Sequence, residues 1–157
     1  MTLRNAPVAK AQMLIRTPVD EVFEAFVDPA ITTQFWFTKS SGKLEPHKKV
    51  KWDWEMYGVS TEVSVKAIEQ NRRILIEWGD PPCPVEWVFT PRADKTTFVS
   101  ISNWGFRGDE DEVVAQAIDS TGGFSLVLAA VKALLEQSVV LSLVADHNPD
   151  AHKREGA

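Results

Sequence analysis

Few of the side chains that commonly carry out chemistry stand at useful spacings in this sequence. The three histidines, His47, His147 and His152, have no cysteine or carboxylate at the spacing of metal ligands. The single cysteine, Cys83, lies between two prolines and has no basic neighbour that would lower the pKa of its thiol. We therefore predict no metal site, no cofactor and no catalytic thiolate.

Two polar residues on predicted strands are the remaining candidates for chemistry. Asn103 alternates with Val99 and Ile101, so it belongs to the apolar face of its strand. There it could orient a carbonyl or hydroxyl group of a ligand, or it could bond a loop backbone at the strand end. Glu62 has the opposite phase, and we expect it to be solvated. No pair of inward polar groups is assured, so we predict no catalytic residue.

Tryptophan is the most unusual feature of the composition, with six tryptophans against one tyrosine. Trp52, Trp54, Trp78 and Trp87 all occupy the apolar phase of alternating segments. Rigid aromatic side chains line ligand pockets well, and each indole N–H needs a hydrogen-bond partner. This pattern predicts a ligand pocket lined by tryptophan, with a filled aromatic core as the alternative.

Length, charge and apolar patterning exclude several classes of protein. We predict a single domain over residues 1–157, with an ordered core of about 9–145 and a flexible tail. The net charge of −5 argues against nucleic-acid binding. Residues 1–10 have no apolar core typical of a signal peptide, and polar residues interrupt the apolar stretch 124–144, which argues against a membrane span. The single cysteine fits a reducing compartment, and we predict a cytoplasmic protein.

Hydrophobic periodicity gives the order of the elements. A first strand is expected over residues 9–16, followed by a short helix that ends before Pro29 and a second helical segment over 30–37. From residue 50 to residue 104 the apolar residues alternate with polar ones, and short loops separate the runs. This part of the chain predicts consecutive antiparallel strands in a meander.

A long helix is expected to close the chain. The acidic run at residues 109–112 suits a helix start, because negative charge there is favoured by the helix dipole. Phe124 and Leu128 belong to an apolar stripe at helical spacing. Two glycines cost on the order of 2 kcal/mol inside a helix, so we expect a kink or a break at Gly122-Gly123.

These elements predict an α+β helix-grip fold, a curved antiparallel β-sheet wrapped around a long C-terminal α-helix with two short helices after the first strand. Short motifs in a characteristic order support it: Pro18-Val19, Val22-Phe23, Asp28-Pro29, Trp36, Gly58, Ile74 to Trp78, Gly105-Phe106, Gly123-Phe124, Leu128, Leu134 and Glu136. With these motifs the chain resembles the SRPBCC superfamily of START, birch-pollen-allergen and polyketide-cyclase proteins. Within it, the chain is most similar to the activators of the 90-kDa heat-shock protein ATPase.

The resemblance implies a cavity between the sheet and the C-terminal helix that binds a small hydrophobic or aromatic ligand. The residues expected to line it are Trp36, Trp52, Trp54, Val63, Val65, Trp78, Trp87, Val99, Ile101, Asn103, Phe124 and Leu128.

Two other functions stay open. The superfamily includes cyclase, aromatase and dehydratase enzymes, and the activator branch implies a chaperone partner and a link to the stress response. We expect a monomer or a homodimer formed through a strand edge or the apolar end of the last helix, at Val139, Val140, Leu143 and Val144.

Overall fold

One antiparallel sheet carries most of the structure, a computed structural model that describes residues 6–151. The seven strands are β1 (Ala9–Ile15), β2 (Lys39–Ser40), β3 (Lys49–Trp54), β4 (Val59–Glu69), β5 (Arg73–Trp78), β6 (Cys83–Pro91) and β7 (Thr97–Asn103). Their order in the sheet is β1-β7-β6-β5-β4-β3-β2. The predicted meander is confirmed, and β1 extends it by pairing with β7.

Alternation of apolar and polar residues decides which face of each strand is buried. In β7 the odd-numbered positions from Thr97 to Asn103 are buried, and the residues between them are only partly covered. The register places Ile101 opposite Trp87, so that their large side chains meet on one face of the sheet. The sheet therefore presents one continuous apolar face to the helices.

Two short helices follow β1, as the sequence predicts. The first, α1 (Val19–Val27), buries Phe23 and Phe26 against the sheet. The second, α2 (Pro29–Thr32), begins with the Asp28 carboxylate accepting from the Ala30 N–H. It is shorter than the predicted segment 30–37, because the next three aromatic residues, 35–37, are all buried. One face of a helix cannot bury three consecutive side chains.

The long helix α3 (Glu110–Gln137) covers the apolar face and begins where the acidic run predicts. The Asp109 carboxylate accepts a hydrogen bond from the Glu112 N–H at 2.9 Å, and the Glu112 carboxylate in turn accepts one from the Asp109 N–H. Of the kink or break expected at Gly122-Gly123, the break is wrong, since the helix runs through both residues. The residues after the glycines are held by the packing of Phe124, Leu128 and their neighbours on the core.

The apolar stretch beyond Gln137 does not continue the helix. Ser138 and Ser142 both adopt left-handed backbone angles, and a single helical turn, α4 (Leu143–Asp146), follows. By length and composition alone α3 could cross a membrane, with a mean hydropathy of 1.4 in its most apolar part. Phe124, Leu128 and Val131 of this helix are buried against the core, whereas Val114 and Ile118 are exposed.

Replacing Gly122 with alanine should raise the free energy of unfolding by about 1 kcal/mol, because alanine is the better helix former and the new methyl group would meet no other atom. Urea denaturation would measure this change. An unchanged or lower stability would contradict the continuous helix.

His152, expected to be solvated, lies outside the described residues.

Candidate functional site

A cavity of about 530 Å³ lies at one end of the sheet, beside the N-terminal half of α3. The end of β5, the loop 79–82, the start of β6 and the loop that follows β7 form the sheet side. The helix side is formed by Gln116, Asp119, Ser120, Gly123, Phe124, Leu126 and Val127, and α4 contributes Val144. Along α3 the polar lining residues 116–120 precede the apolar ones 124–127, so the cavity has a polar end and an apolar end.

Three aromatic rings pack against one another at the apolar end. The Trp78 and Phe124 rings stack with their centroids 5.8 Å apart and their planes at 22°. The Trp36 ring meets both of them edge-on, at 6.0 Å from Trp78 and 5.7 Å from Phe124. Such an arrangement gives a rigid apolar wall on which a flat ligand ring could pack.

Asn103 is held at both ends of its side-chain amide. Its Nδ2 donates to the Pro84 carbonyl oxygen at 2.9 Å, and its Oδ1 accepts from the Ser120 hydroxyl at 2.8 Å. The residue is 3 % exposed and touches the cavity. Asn103 therefore bonds the backbone of strand β6, not that of a loop as expected, and it also lines the pocket.

Cys83 lies on the cavity wall but is not poised as a nucleophile. Burial raises the pKa of its thiol, and the positive charge of Arg107 opposes this only in part. The Sγ lies 3.5 Å from the Gly105 carbonyl oxygen. The thiol stays protonated at neutral pH, so the wall carries no thiolate.

The turn α4 closes one side of the cavity. The Tyr57 hydroxyl donates to the Val144 carbonyl oxygen, and the pKa of Tyr57 is raised by burial and by the charge of Asp146. The Nδ1 atom of His147 lies 2.8 Å from the same oxygen, and the exposed His147 ring borders the cavity. This closing element was missed from the sequence, although the apolar pair Leu143-Val144 beyond the helix end is a signal for it.

The structure gathers only part of the predicted lining set at the cavity. Four of the twelve predicted residues form its wall: Trp36, Trp78, Asn103 and Phe124. The remaining ones lie in the core and do not touch it: Trp52, Trp54, Val63, Val65, Trp87, Val99, Ile101 and Leu128.

The Trp36 ring explains why the cavity sits at one end. It projects onto the sheet with its centroid 5.0–6.1 Å from those of Trp52, Trp54, Trp78, Trp87 and Phe124. Aromatic side chains thereby occupy the middle of the apolar face, and the cavity lies beyond them. The Trp87 Nε1 is buried with no hydrogen-bond acceptor among residues 6–151.

Most of the lining residues on α3 were missed by the sequence analysis. Asp119 and Ser120 lie three and four residues after Gln116, Gly123 lies three after Ser120, and Val127 lies four after Gly123, which places them on one face of the helix. That spacing was the available signal. Within residues 6–151, no three or more His, Cys, Asp or Glu side chains gather as they would around a metal ion.

Comparisons with solved structures find the same fold in several bacterial proteins. Protein SSP2350 from Staphylococcus saprophyticus is 27% identical, with 86% of this chain and 96% of that chain covered and a TM-score of 0.75. The Aha1 dimer from Colwellia psychrerythraea is 14% identical, with 83% and 97% covered and a TM-score of 0.70. CalU16 from Micromonospora echinospora is 15% identical, with 93% and 84% covered and a TM-score of 0.67.

A search of curated proteins found no match. A family model, described as activator of Hsp90 ATPase homolog 1-like protein, matches residues 16–136. This range runs from the end of β1 almost to the end of α3, and so includes the sheet side and the helix side of the cavity. The chain therefore belongs to the family of activator of Hsp90 ATPase homolog 1-like proteins.

Proposed function

We propose that the protein binds a small, mainly aromatic molecule in the cavity between the end of the sheet and α3. The observation that carries this proposal is the pairing of a stacked aromatic wall with ordered polar groups in one cavity of about 530 Å³. Small-molecule sites in proteins commonly have volumes of about 300–1,000 Å³ and combine apolar walls with a few placed polar groups.

The two ends of the cavity would have different tasks in binding. A ligand ring would pack against Trp78 and Phe124, where burial of apolar surface contributes most of the affinity. A polar substituent would lie toward Ser120 and Asn103, whose positions are set by their mutual hydrogen bond. Because these groups are already ordered, binding would cost little side-chain entropy.

A chaperone partner is the second candidate, and family membership is the observation that favours it. The structural similarity to a dimeric Aha1 also favours a homodimer. Val139, Val140 and Leu141 are each at least 42 % exposed, whereas Leu143 and Val144 pack on the core. Stimulation of a 90-kDa chaperone ATPase by the purified protein would support this function, and analytical ultracentrifugation would give the oligomeric state.

An enzymatic role of the cyclase, aromatase or dehydratase kind would require Asn103 to act on a substrate. Its amide carries no readily transferred proton, so Asn103 would orient a substrate rather than exchange protons with it. The single domain over residues 1–157, the cytoplasmic location and the link to stress response remain predictions from the sequence.

Two adjacent glycines offer a matched test of ligand binding. Gly123 borders the cavity and Gly122 does not, and a Cβ at either position would meet no atom within 4 Å. We expect Gly123→Phe to fill the space beside Phe124 and weaken binding at least about tenfold, the equivalent of about 1.4 kcal/mol. Gly122→Phe should bind as the unchanged protein does.

The measurement is a fluorescence titration with a library of apolar and aromatic compounds that do not absorb at the excitation wavelength. Trp36 and Trp78 lie in the wall, so a bound ligand should quench or blue-shift their emission in a saturable way. Equal loss of binding in both glycine variants would place the ligand elsewhere. No saturable response from the unchanged protein with any compound would contradict the proposed function.

A further inference from the structure

We propose that the cavity selects ligands that carry a hydrogen-bond donor, a hydroxyl or amino group on the ring, and that Ser120 makes this selection. The inference rests on the proposed function, because it names the class of molecule that the same cavity takes. It follows from the direction of each hydrogen bond along the polar end.

The direction of the Asn103 bonds is set by a group that can only accept. The Pro84 carbonyl oxygen has no hydrogen to give, so the amide end that faces it at 2.9 Å is the Nδ2 donor. The other end, Oδ1, therefore faces the Ser120 hydroxyl at 2.8 Å and accepts its hydrogen. A hydroxyl group has one hydrogen and two lone pairs. With that hydrogen used, Ser120 Oγ can only accept from a ligand.

Gln116 also presents an acceptor to the cavity, because its amide hydrogens are used on groups that can only accept. Its Nε2 donates to the carbonyl oxygens of Arg107, at 2.8 Å, and Glu112, at 3.1 Å. Both amide hydrogens are thereby used on acceptors, and the Oε1 atom remains to accept from a ligand. Asp119, which also borders the cavity, is an acceptor when ionised.

Three acceptors therefore share one face of α3, since Asp119 and Ser120 lie three and four residues after Gln116. A ligand hydroxyl or amine can donate hydrogen bonds to these acceptors, whereas an ether or ketone oxygen would face their lone pairs and make no hydrogen bond. A carboxylate would also meet the charge of Asp119. Arg107, Gln116 and Asp119 are all exposed, so water competes for their hydrogen bonds, and the half-buried Ser120 is the acceptor that decides the selection.

A pair of probes that differ in one donor tests this selection. 2-Naphthol and 2-methoxynaphthalene have the same ring system, but only the first can donate a hydrogen bond. We expect 2-naphthol to bind the unchanged protein at least about tenfold more tightly, because the half-buried Ser120 acceptor, once covered by a ligand without a donor, loses its hydrogen bond to water. Chemical-shift changes of backbone amides in a ¹⁵N–¹H NMR titration would give both affinities.

Two variants of Ser120 distinguish loss of the hydroxyl acceptor from a change in side-chain size. Ser120→Ala should reduce the affinity ratio of the two probes several-fold, whereas Ser120→Thr, which keeps the hydroxyl, should retain it. The NMR spectra themselves report whether each variant is folded. Equal affinities in the unchanged protein, or a ratio unaltered in Ser120→Ala, would overturn the selection while leaving ligand binding in place. Failure of both probes to bind would instead contradict the proposed function.

Discussion

Replacing Trp52 with alanine should lower the free energy of unfolding by about 3–5 kcal/mol, as expected for removal of a fully buried aromatic side chain. Trp52 is 1 % exposed and stacks on Phe37 with centroids 4.4 Å apart and planes at 18°. It also meets Trp36 and Trp78 edge-on, at 5.0 and 6.2 Å. Truncation would leave a cavity that rigid rings on several sides cannot close.

Urea denaturation followed by circular dichroism would measure this loss without depending on tryptophan emission. Trp104→Ala is the matched control, because Trp104 is half-buried and has no ring contact within the described part of the chain. We expect that control to cost about 1–2 kcal/mol, in proportion to its smaller buried area. A loss for Trp52→Ala no greater than for Trp104→Ala would contradict the structural role of the ring cluster.

The strands were predictable from sequence because their signal is local. The alternation of Val50, Trp52 and Trp54, and likewise of Val99, Ile101 and Asn103, states directly which side chains share a face. Antiparallel neighbours joined by short loops then leave little freedom in the order of strands. The fold class followed from that pattern and from the length of the last helix.

The cavity was less predictable because its extent depends on packing at the scale of single side chains. Four tryptophans on the apolar phase could line a pocket or fill it, and the position of Trp36 decides between these outcomes. Trp36 comes from the non-repetitive segment after α2, where no periodicity states its direction. The space that it leaves at the end of the sheet could not be derived from strand patterns alone.

The start of α3 and the absence of a break in it illustrate the same distinction. Its first turn carries a local signal, the Asp109 and Glu112 pair, and the prediction there was confirmed. At Gly122-Gly123 the local cost of the glycines is outweighed by burial of Phe124, Leu128 and Val131 against the core. Such a tertiary gain is not visible in helix propensity.

A second large effect is expected at Glu136, near the end of α3. Its Oε2 accepts from the Arg16 backbone N–H at 2.8 Å and from Lys132 Nζ at 2.7 Å. The same ammonium group donates to the Leu14 carbonyl oxygen at 2.7 Å. The Glu136 side chain is only 13% exposed, so these bonds tie the helix end to β1 with little screening by water.

Glu136→Gln should therefore lower the free energy of unfolding at pH 7 by about 2 kcal/mol, since hydrogen bonds to charged groups contribute about 1.5–3 kcal/mol. The amide keeps the shape of the side chain but loses its charge. Glu62→Gln is the control, because Glu62 is 69% exposed and its Lys49 partner lies 3.7 Å away. We expect a change below about 0.5 kcal/mol for that exposed pair.

The same substitution predicts a pH dependence with a definite sign. Partial burial pushes the pKa of Glu136 up, but the Arg16 N–H and the Lys132 ammonium outweigh it, so the pKa is lowered from its ordinary value of 4.5. A carboxyl group with a lowered pKa in the folded state stabilises fully above its unfolded pKa. That stability is lost as the pH falls through the folded value. The difference between the unchanged protein and Glu136→Gln should thus be constant from pH 6 to pH 8 and shrink below about pH 4.5. Urea denaturation at each pH would measure it, and a difference that persists undiminished at pH 3 would show that packing, not charge, holds the helix end.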